Sequence, residues 1–362
     1  VVEAKVTAAT EARVEAAART SGRSASEPLN ATLVSAAAAA TTAANSAVAA
    51  DTTVGQDAWA YNPIIAMPHL FKLADKKYKD KHRYFVDAPP VVADICVSDC
   101  TLDTAVWKTI LVSGLGHGGR GYFALDITDP ASPKALWEFT NANLGYSFGN
   151  PQVVKLQNGT WAVLFASGYN NIPNDDAATG DGVGRLFVLN AATGAQIAGV
   201  SPISTGVGSV SSPSGLAKII AQVVNPGSDD RVEAVYGGDL LGNVWRFDVN
   251  NTVGATGYDA QLLATLKDGD GNSQPVTTKP EVGLIQDYKV VFVGTGRYLA
   301  GSDASDDSQQ TLYAIKDPRA ADTIPATAIF DNPGGSPRVA GTSAAGFVGQ
   351  VQTETTCDTS VI

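Results

Sequence analysis

Cysteine, histidine and charge are all scarce in this sequence, and each shortage removes a class of function. There are three cysteines and three histidines in 362 residues. Cys96 and Cys100 stand together in Ile95-Cys96-Val97-Ser98-Asp99-Cys100, with no histidine beside them and no second cysteine pair. That argues against a zinc site, which needs a full set of nitrogen or sulfur ligands. The close pair is instead expected to form a local loop disulfide, which suits an oxidising compartment. Cys357 is then left for a partner outside this sequence. Only 17% of the residues are charged, yet no apolar run is long enough to span a bilayer as a helix. No carboxylate pair stands out for glycoside chemistry. No signal peptide is visible, but residue 1 is Val, so the chain is expected to begin inside a longer product or after processing.

What is present points to β structure. The chain is 44% hydrophobic and carries 36 glycines and 18 prolines. That mix is poor in helix formers and rich in turn formers. The net charge of −11 repels phosphate backbones and anionic lipid headgroups, which excludes nucleic acid as an expected partner. Acidic loops do suit hard cations such as calcium. Residues 1–55 differ from the rest. They are Ala-rich, include the run Ala36 to Ala40, and are nearly devoid of large apolar side chains. They read as a linker or a helical arm, and residues 56–362 as the folded domain.

From Trp59 onward, short β-type runs recur between Gly, Pro, Asn and Asp clusters. Four of them share one design. They are Tyr122-Phe123-Ala124-Leu125-Asp126, Arg185-Leu186-Phe187-Val188-Leu189-Asn190, Asn243-Val244-Trp245-Arg246-Phe247-Asp248 and Leu312-Tyr313-Ala314-Ile315-Lys316-Asp317. Each alternates apolar and aromatic residues and then reaches an Asx that opens a turn. An apolar strand ending in small residues precedes each, as in Leu111-Val112-Ser113-Gly114 and Val235-Tyr236-Gly237-Gly238. The units recur roughly every 60 residues, the mark of a repeat architecture. One such unit cannot bury both its faces, and radial packing of four-stranded blades solves that problem. The expected fold is all-β: a β-propeller with modified, quinoprotein-like blades, seven or an incomplete set, behind an Ala-rich N-terminal arm.

Several stretches resemble one family in its own order. They include Ala58-Trp59-Ala60-Tyr61-Asn62-Pro63, His82-Arg83-Tyr84-Phe85-Val86-Asp87, Gly118-Gly119-Arg120-Gly121-Tyr122-Phe123-Ala124-Leu125-Asp126 and Phe148-Gly149-Asn150-Pro151. Further along come Tyr236-Gly237-Gly238-Asp239, Gln274-Pro275-Val276-Thr277 and Gly294-Thr295-Gly296-Arg297-Tyr298-Leu299. Together they cover about residues 58–318 and resemble the propeller of the PilY/PilC family of type IV pilus biogenesis factors and tip adhesins. The resemblance implies a secreted protein, not an enzyme, at the pilus tip or outer-membrane surface. It implies support of pilus assembly and extension, adhesion or surface sensing, and twitching motility. Pilins or minor pilins, and a host or surface receptor, are the implied partners. Three departures stand out. The family's Gly-x-Asn-Asp-Gly strand before Trp59 is replaced by Ala-rich sequence, the stretch that closes the propeller is short, and the Asp-x-Ser-x-Ser site of an upstream von Willebrand-type domain is missing.

The family also implies a short calcium loop just before the Tyr236-Gly237-Gly238-Asp239 strand. Here that place holds Asn225-Pro226-Gly227-Ser228-Asp229-Asp230-Arg231-Val232-Glu233. Asn225, Asp229 and Glu233 occupy the first, fifth and ninth ligand positions, and Arg231 the seventh, where a backbone carbonyl serves. Gly227 offers no side-chain oxygen at the third. Weaker cation candidates are Asp268, Asp270 and Asn272, the loop from Asn170 to Asp181, and the cluster Asp303, Asp306 and Asp307. For His82 and His117, which lie in the matching motifs, loop or packing roles suffice. The Gly-rich stretch 114–121 is expected to be a propeller loop, because a strand and not a helix follows it.

A different function class competes with this one. Asn190-Ala191-Ala192-Thr193-Gly194 looks like the blade end of a quinoprotein dehydrogenase, although the adjacent cysteine pair common in those enzymes is missing. A carbohydrate-binding propeller is a third reading, and exposed aromatic side chains would be its signature.

Overall fold

The computed structural model describes residues 58–317, except for 102, 175–178, 226–228, 253–256 and 286–287. The Ala-rich arm and Cys357 lie outside the described residues. Four consecutive antiparallel meanders follow one another. The first comprises β1 (Val91–Ser98), β2 (Val106–Gly114), β3 (Tyr122–Asp126) and β4 (Lys134–Phe139). The second comprises β5 (Gln152–Lys155), β6 (Trp161–Ala166), β7 (Arg185–Asn190) and β8 (Ile203–Ser204). The third runs from β9 (Ile219–Asn225) through β10 (Asp229–Gly238) and β11 (Asn243–Phe247) to β12 (Ala260–Thr265). The fourth has β13 (Glu281–Ile285), β14 (Tyr288–Gly294) and β15 (Leu312–Lys316). This is the blade pattern of a β-propeller.

Side-chain alternation explains why the blades stack. Along β6, Val163 and Phe165 point toward the first blade and pack with Ile110, Val112, Tyr122 and Ala124. Ala162, Leu164 and Ala166 point the other way and pack with Val235, Trp245 and Phe247 of the third. The third and fourth blades meet through Tyr236, Val244, Val291, Val293 and Tyr313. The central strands of the second and third blades are thus buried on both faces, which their near-continuous apolar sequences require. Tyr122 and Phe165 stack across the first interface with ring centroids 3.9 Å apart. Such a pair adds about 1 kcal/mol to the burial of its surface.

The other face of the first blade is covered by the chain that precedes it. Trp59, Tyr61 and Ile65 pack on Phe123 and Leu125. Glu138 fixes this cover, because its carboxylate accepts hydrogen bonds from the Tyr61 hydroxyl and from the backbone N–H groups of Ile64 and Ile65. A 3-10 helix, Ile64–Ala74, follows.

Asp126 closes the β3 turn. Burial pushes its pKa up, but hydrogen bonds from Lys108 and Thr128 outweigh that and hold it at about 2. A lowered folded value stabilises the fold above the ordinary carboxylate range, and that contribution is lost as pH falls. The melting temperature is therefore expected to drop between about pH 4 and about pH 2. Asp126→Asn should flatten that part of the profile, and an unchanged slope in the variant would rule Asp126 out as its source.

Candidate interaction surface and metal loop

Asp229, Arg231 and Glu233 lie on β10, and Asn225 pairs with Asp229 in the hairpin register at the end of β9. The fold therefore brings the four expected positions to one hairpin. Their contacts differ from those of a ligand set. The Asp229 carboxylate accepts a hydrogen bond from Arg231 at 2.8 Å. The Glu233 carboxylate is held by Lys289 of the fourth blade. Among the described residues, no three His, Cys, Asp or Glu side chains group closely enough to hold a metal ion. As it stands the set does not fit calcium: each carboxylate already neutralises a side-chain cation, and Arg231 adds positive charge where a neutral carbonyl is needed.

The weaker cation candidates are occupied by their own loops. Asp268 accepts from the backbone N–H of Asp270 and Asn272 and from the Asn272 side chain, which closes a hairpin turn. Asp181 takes a two-pronged ion pair from Arg185, at 2.5 and 2.7 Å, which holds its carboxyl below the usual range. Asp303 binds Arg297 and the N–H groups of Leu299 and Ala300. Asp175 and Asp176 lie outside the described residues.

Two sequence motifs become structural hubs. Asp239, at the end of Tyr236-Gly237-Gly238-Asp239, is buried. Its carboxylate accepts hydrogen bonds from the N–H groups of Leu241 and Asn243, from Asn243 Nδ2, from Trp245 Nε1 and from Ser214 Oγ. Burial nevertheless raises its pKa against those bonds. The Asn190-Ala191-Ala192-Thr193-Gly194 stretch is a tight turn in which Asn190 accepts from the N–H groups of Ala192 and Thr193. Gly194 has φ of +69°, and a Cβ there would sit 2.5 Å from Cγ of Trp137. Trp137 Nε1 donates to the Ala191 carbonyl. The stretch that looks like a quinoprotein blade end thus docks the first blade on the second.

Past Gly114, the last residue of β2, the Gly-rich stretch is a loop over residues 115–121 leading into β3. Gly116, with φ of +59°, lets Asp87 come close, and a Cβ there would lie 1.9 Å from Asp87 Oδ1. Asp87 accepts from the His117 backbone N–H at 2.7 Å and meets His117 Nδ1 at 3.0 Å. His117 packs edge-on against Phe148 and lies 5.0 Å from the half-exposed ring of Tyr84. Tyr84 in turn meets His82 edge-on at 4.8 Å. Sequence reasoning gave both histidines packing roles and did not place this row. Its signal is two of the chain's three histidines flanking one tyrosine, and the loop brings them together from residues 82 and 117. The expected Cys96–Cys100 disulfide is formed at the end of β1.

Comparison with known proteins assigns the architecture. Residues 52–335 match the model of the PilY1 beta-propeller domain. The type IV pilus biogenesis factor PilY1 of Pseudomonas aeruginosa is 34% identical over 293 residues, covering 73% of this chain and 23% of that protein. A PilY1 homolog of Xylella fastidiosa is 34% identical over 291 residues, covering 73% of this chain and 18% of its own length. The chain thus spans less than a quarter of these curated relatives. The crystal structure of the Pseudomonas aeruginosa PilY1 C-terminal domain superposes with a TM-score of 0.56 at 29% identity, covering 75% of this chain and 56% of that one. By sequence, by blade order and by superposition, the chain belongs to the PilY1 family of type IV pilus biogenesis factors.

Proposed function

We propose that this chain is the propeller module of a protein that promotes type IV pilus assembly and extension and takes part in adhesion. It works through surface contacts and not through catalysis. The observation that carries this reading is the family match over all four blades. Its partners are pilins or minor pilins of the pilus, and a receptor on a host or another surface. The Cys96–Cys100 disulfide supports residence outside the cytosol, at the pilus tip or outer-membrane surface. Deleting the gene in its own host should sharply reduce the pilin that can be sheared from cells, and the intact gene should restore it. Undiminished piliation would sink the proposal.

Calcium enters the proposal in a restricted form. An ion at the 225–233 loop has to displace Arg231 from Asp229 and Lys289 from Glu233 before those carboxylates can ligate it. Titration of the chelator-stripped protein should show no saturation below about millimolar calcium, the range of weak extracellular sites. Arg231→Ala should strengthen calcium binding. Tight binding to the unaltered chain would show that the two ion pairs give way easily, and that calcium is a working ligand.

A further inference from the structure

One segment reverses the charge of the molecule. Between residues 72 and 83 stand Lys72, Lys76, Lys77, Lys79, Lys81 and Arg83, with only Asp75 and Asp80 against them. Six of the chain's 25 basic residues, but only two of its 36 acidic ones, fall in this short stretch. Lys76, Lys77, Lys79 and Lys81 are exposed. Among the described residues, no carboxylate lies within ion-pair distance of these four lysines. The segment is tied down at its C-terminal side. The Tyr78 hydroxyl donates to the Arg83 carbonyl, Asp87 binds His117, and Ser113 Oγ donates to the Ala88 carbonyl. The lysines are thus held on a fixed ledge and not on a free tail.

The second observation is the aromatic row beside that ledge. Tyr84 is 49% exposed and stands between His82 and His117. Tyr78 continues the row at 5.5 Å from His82. A half-exposed ring braced by neighbours offers a flat apolar face with little ordering cost. The exposed lysines of the same segment supply anion contacts.

We propose that residues 72–84 bind an anionic polysaccharide, with Tyr84 stacking on a sugar ring and Lys76, Lys77, Lys79 and Lys81 pairing with its carboxylate or sulfate groups. The assignment names a receptor class for the adhesive part of the proposed function and rests on that reading. A thin, flexible chain is favoured for an electrostatic reason. The rest of the protein is acidic, and screening at physiological salt extends only about 8 Å. A broad anionic body such as duplex DNA or a bilayer would meet that acidic surface as well as the ledge. A single polymer strand can touch the ledge alone.

The test is direct binding of the full chain to heparin and to polygalacturonate, with dextran as the neutral control. Saturable binding that weakens with salt is expected for both anionic polymers and none for dextran. Changing Lys76, Lys77, Lys79 and Lys81 together to Gln should weaken it about tenfold or more. Tyr84→Ala should weaken it about fivefold with the salt dependence unchanged, and Tyr84→Phe should retain it. Unchanged melting temperatures would confirm that these surface variants fold. No binding, equal binding by the lysine variant, or indifference to Tyr84→Ala would overturn the proposal. So would stronger binding to poly-glutamate, duplex DNA or anionic vesicles. None of these readouts depends on piliation, so the site can fail while the pilus reading stands.

Discussion

Replacing Asp239 with alanine is expected to lower the unfolding free energy by about 4 kcal/mol, since several buried donors lose their acceptor at once. The Leu241 and Asn243 N–H groups, Asn243 Nδ2 and Trp245 Nε1 all converge on this one carboxylate. They belong to the turn between β10 and β11 and to the strand that follows it, so their loss would loosen the middle of the third blade. Asp239→Asn keeps one oxygen but turns an amide toward donors, and a loss of about 2 kcal/mol is expected. Urea unfolding with a tryptophan signal reads both variants. The pH dependence adds a separate check. Burial holds the Asp239 pKa above its ordinary value. A raised folded value gives stability that is complete at low pH and lost as pH rises through the folded pKa. The Asn variant should lack that loss. Two variants as stable as the parent would remove Asp239 from the account of the fold.

The second large effect is expected at Asp317. Its carboxylate is buried, accepts from the Tyr236 hydroxyl at 2.5 Å and pairs with Arg246. It lies just after β15 and so ties the fourth blade to the third. Asp317→Ala would leave the Arg246 charge, whose side chain is only 7% exposed, without its carboxylate and with Gln261 Oε1 as its remaining side-chain acceptor. Breaking a buried pair in this way costs about 3–5 kcal/mol. Replacing both partners by apolar residues, Arg246→Met with Asp317→Leu, should recover most of that loss, because the desolvated charges go together. If the single and double variants unfold at the same urea concentration, the pair does not hold the two blades together.

The sequence readings and the structure part company in a regular way. The strands read most easily from sequence were β2 and β3, β6 and β7, β10 and β11, β14 and β15. All but β15 lie between two strands of their sheet, so their apolar runs are long, whereas β15 alternates buried Tyr313 and Ile315 with exposed Leu312, Ala314 and Lys316. The outer β4, with Lys134 and Ala135 exposed, and the two-residue β8 carry little such signal. β1 has an alternating pattern interrupted near Cys96 by a register shift. The 3-10 helix at Ile64–Ala74 was not anticipated either, since Pro68 lies inside it. For the candidate site, the family resemblance placed Asn225, Asp229 and Glu233 in one loop, and the structure puts these positions on one hairpin. It could not show that Lys289, 56 residues beyond Glu233, would reach that carboxylate. The lysine ledge was overlooked for a related reason. A net charge of −11 describes the whole chain and hides a short segment of opposite sign.

The proposed function requires this propeller to make direct contact with the pilus. The most direct measurement is association of the purified chain with immobilised minor pilins from the same cells. Saturable binding at about micromolar or tighter affinity is expected of a specific interface. It should disappear when the propeller is unfolded and be unaffected by Lys76, Lys77, Lys79 and Lys81 changed to Gln. No association with any pilin of that pilus, at concentrations well above micromolar, would contradict the account.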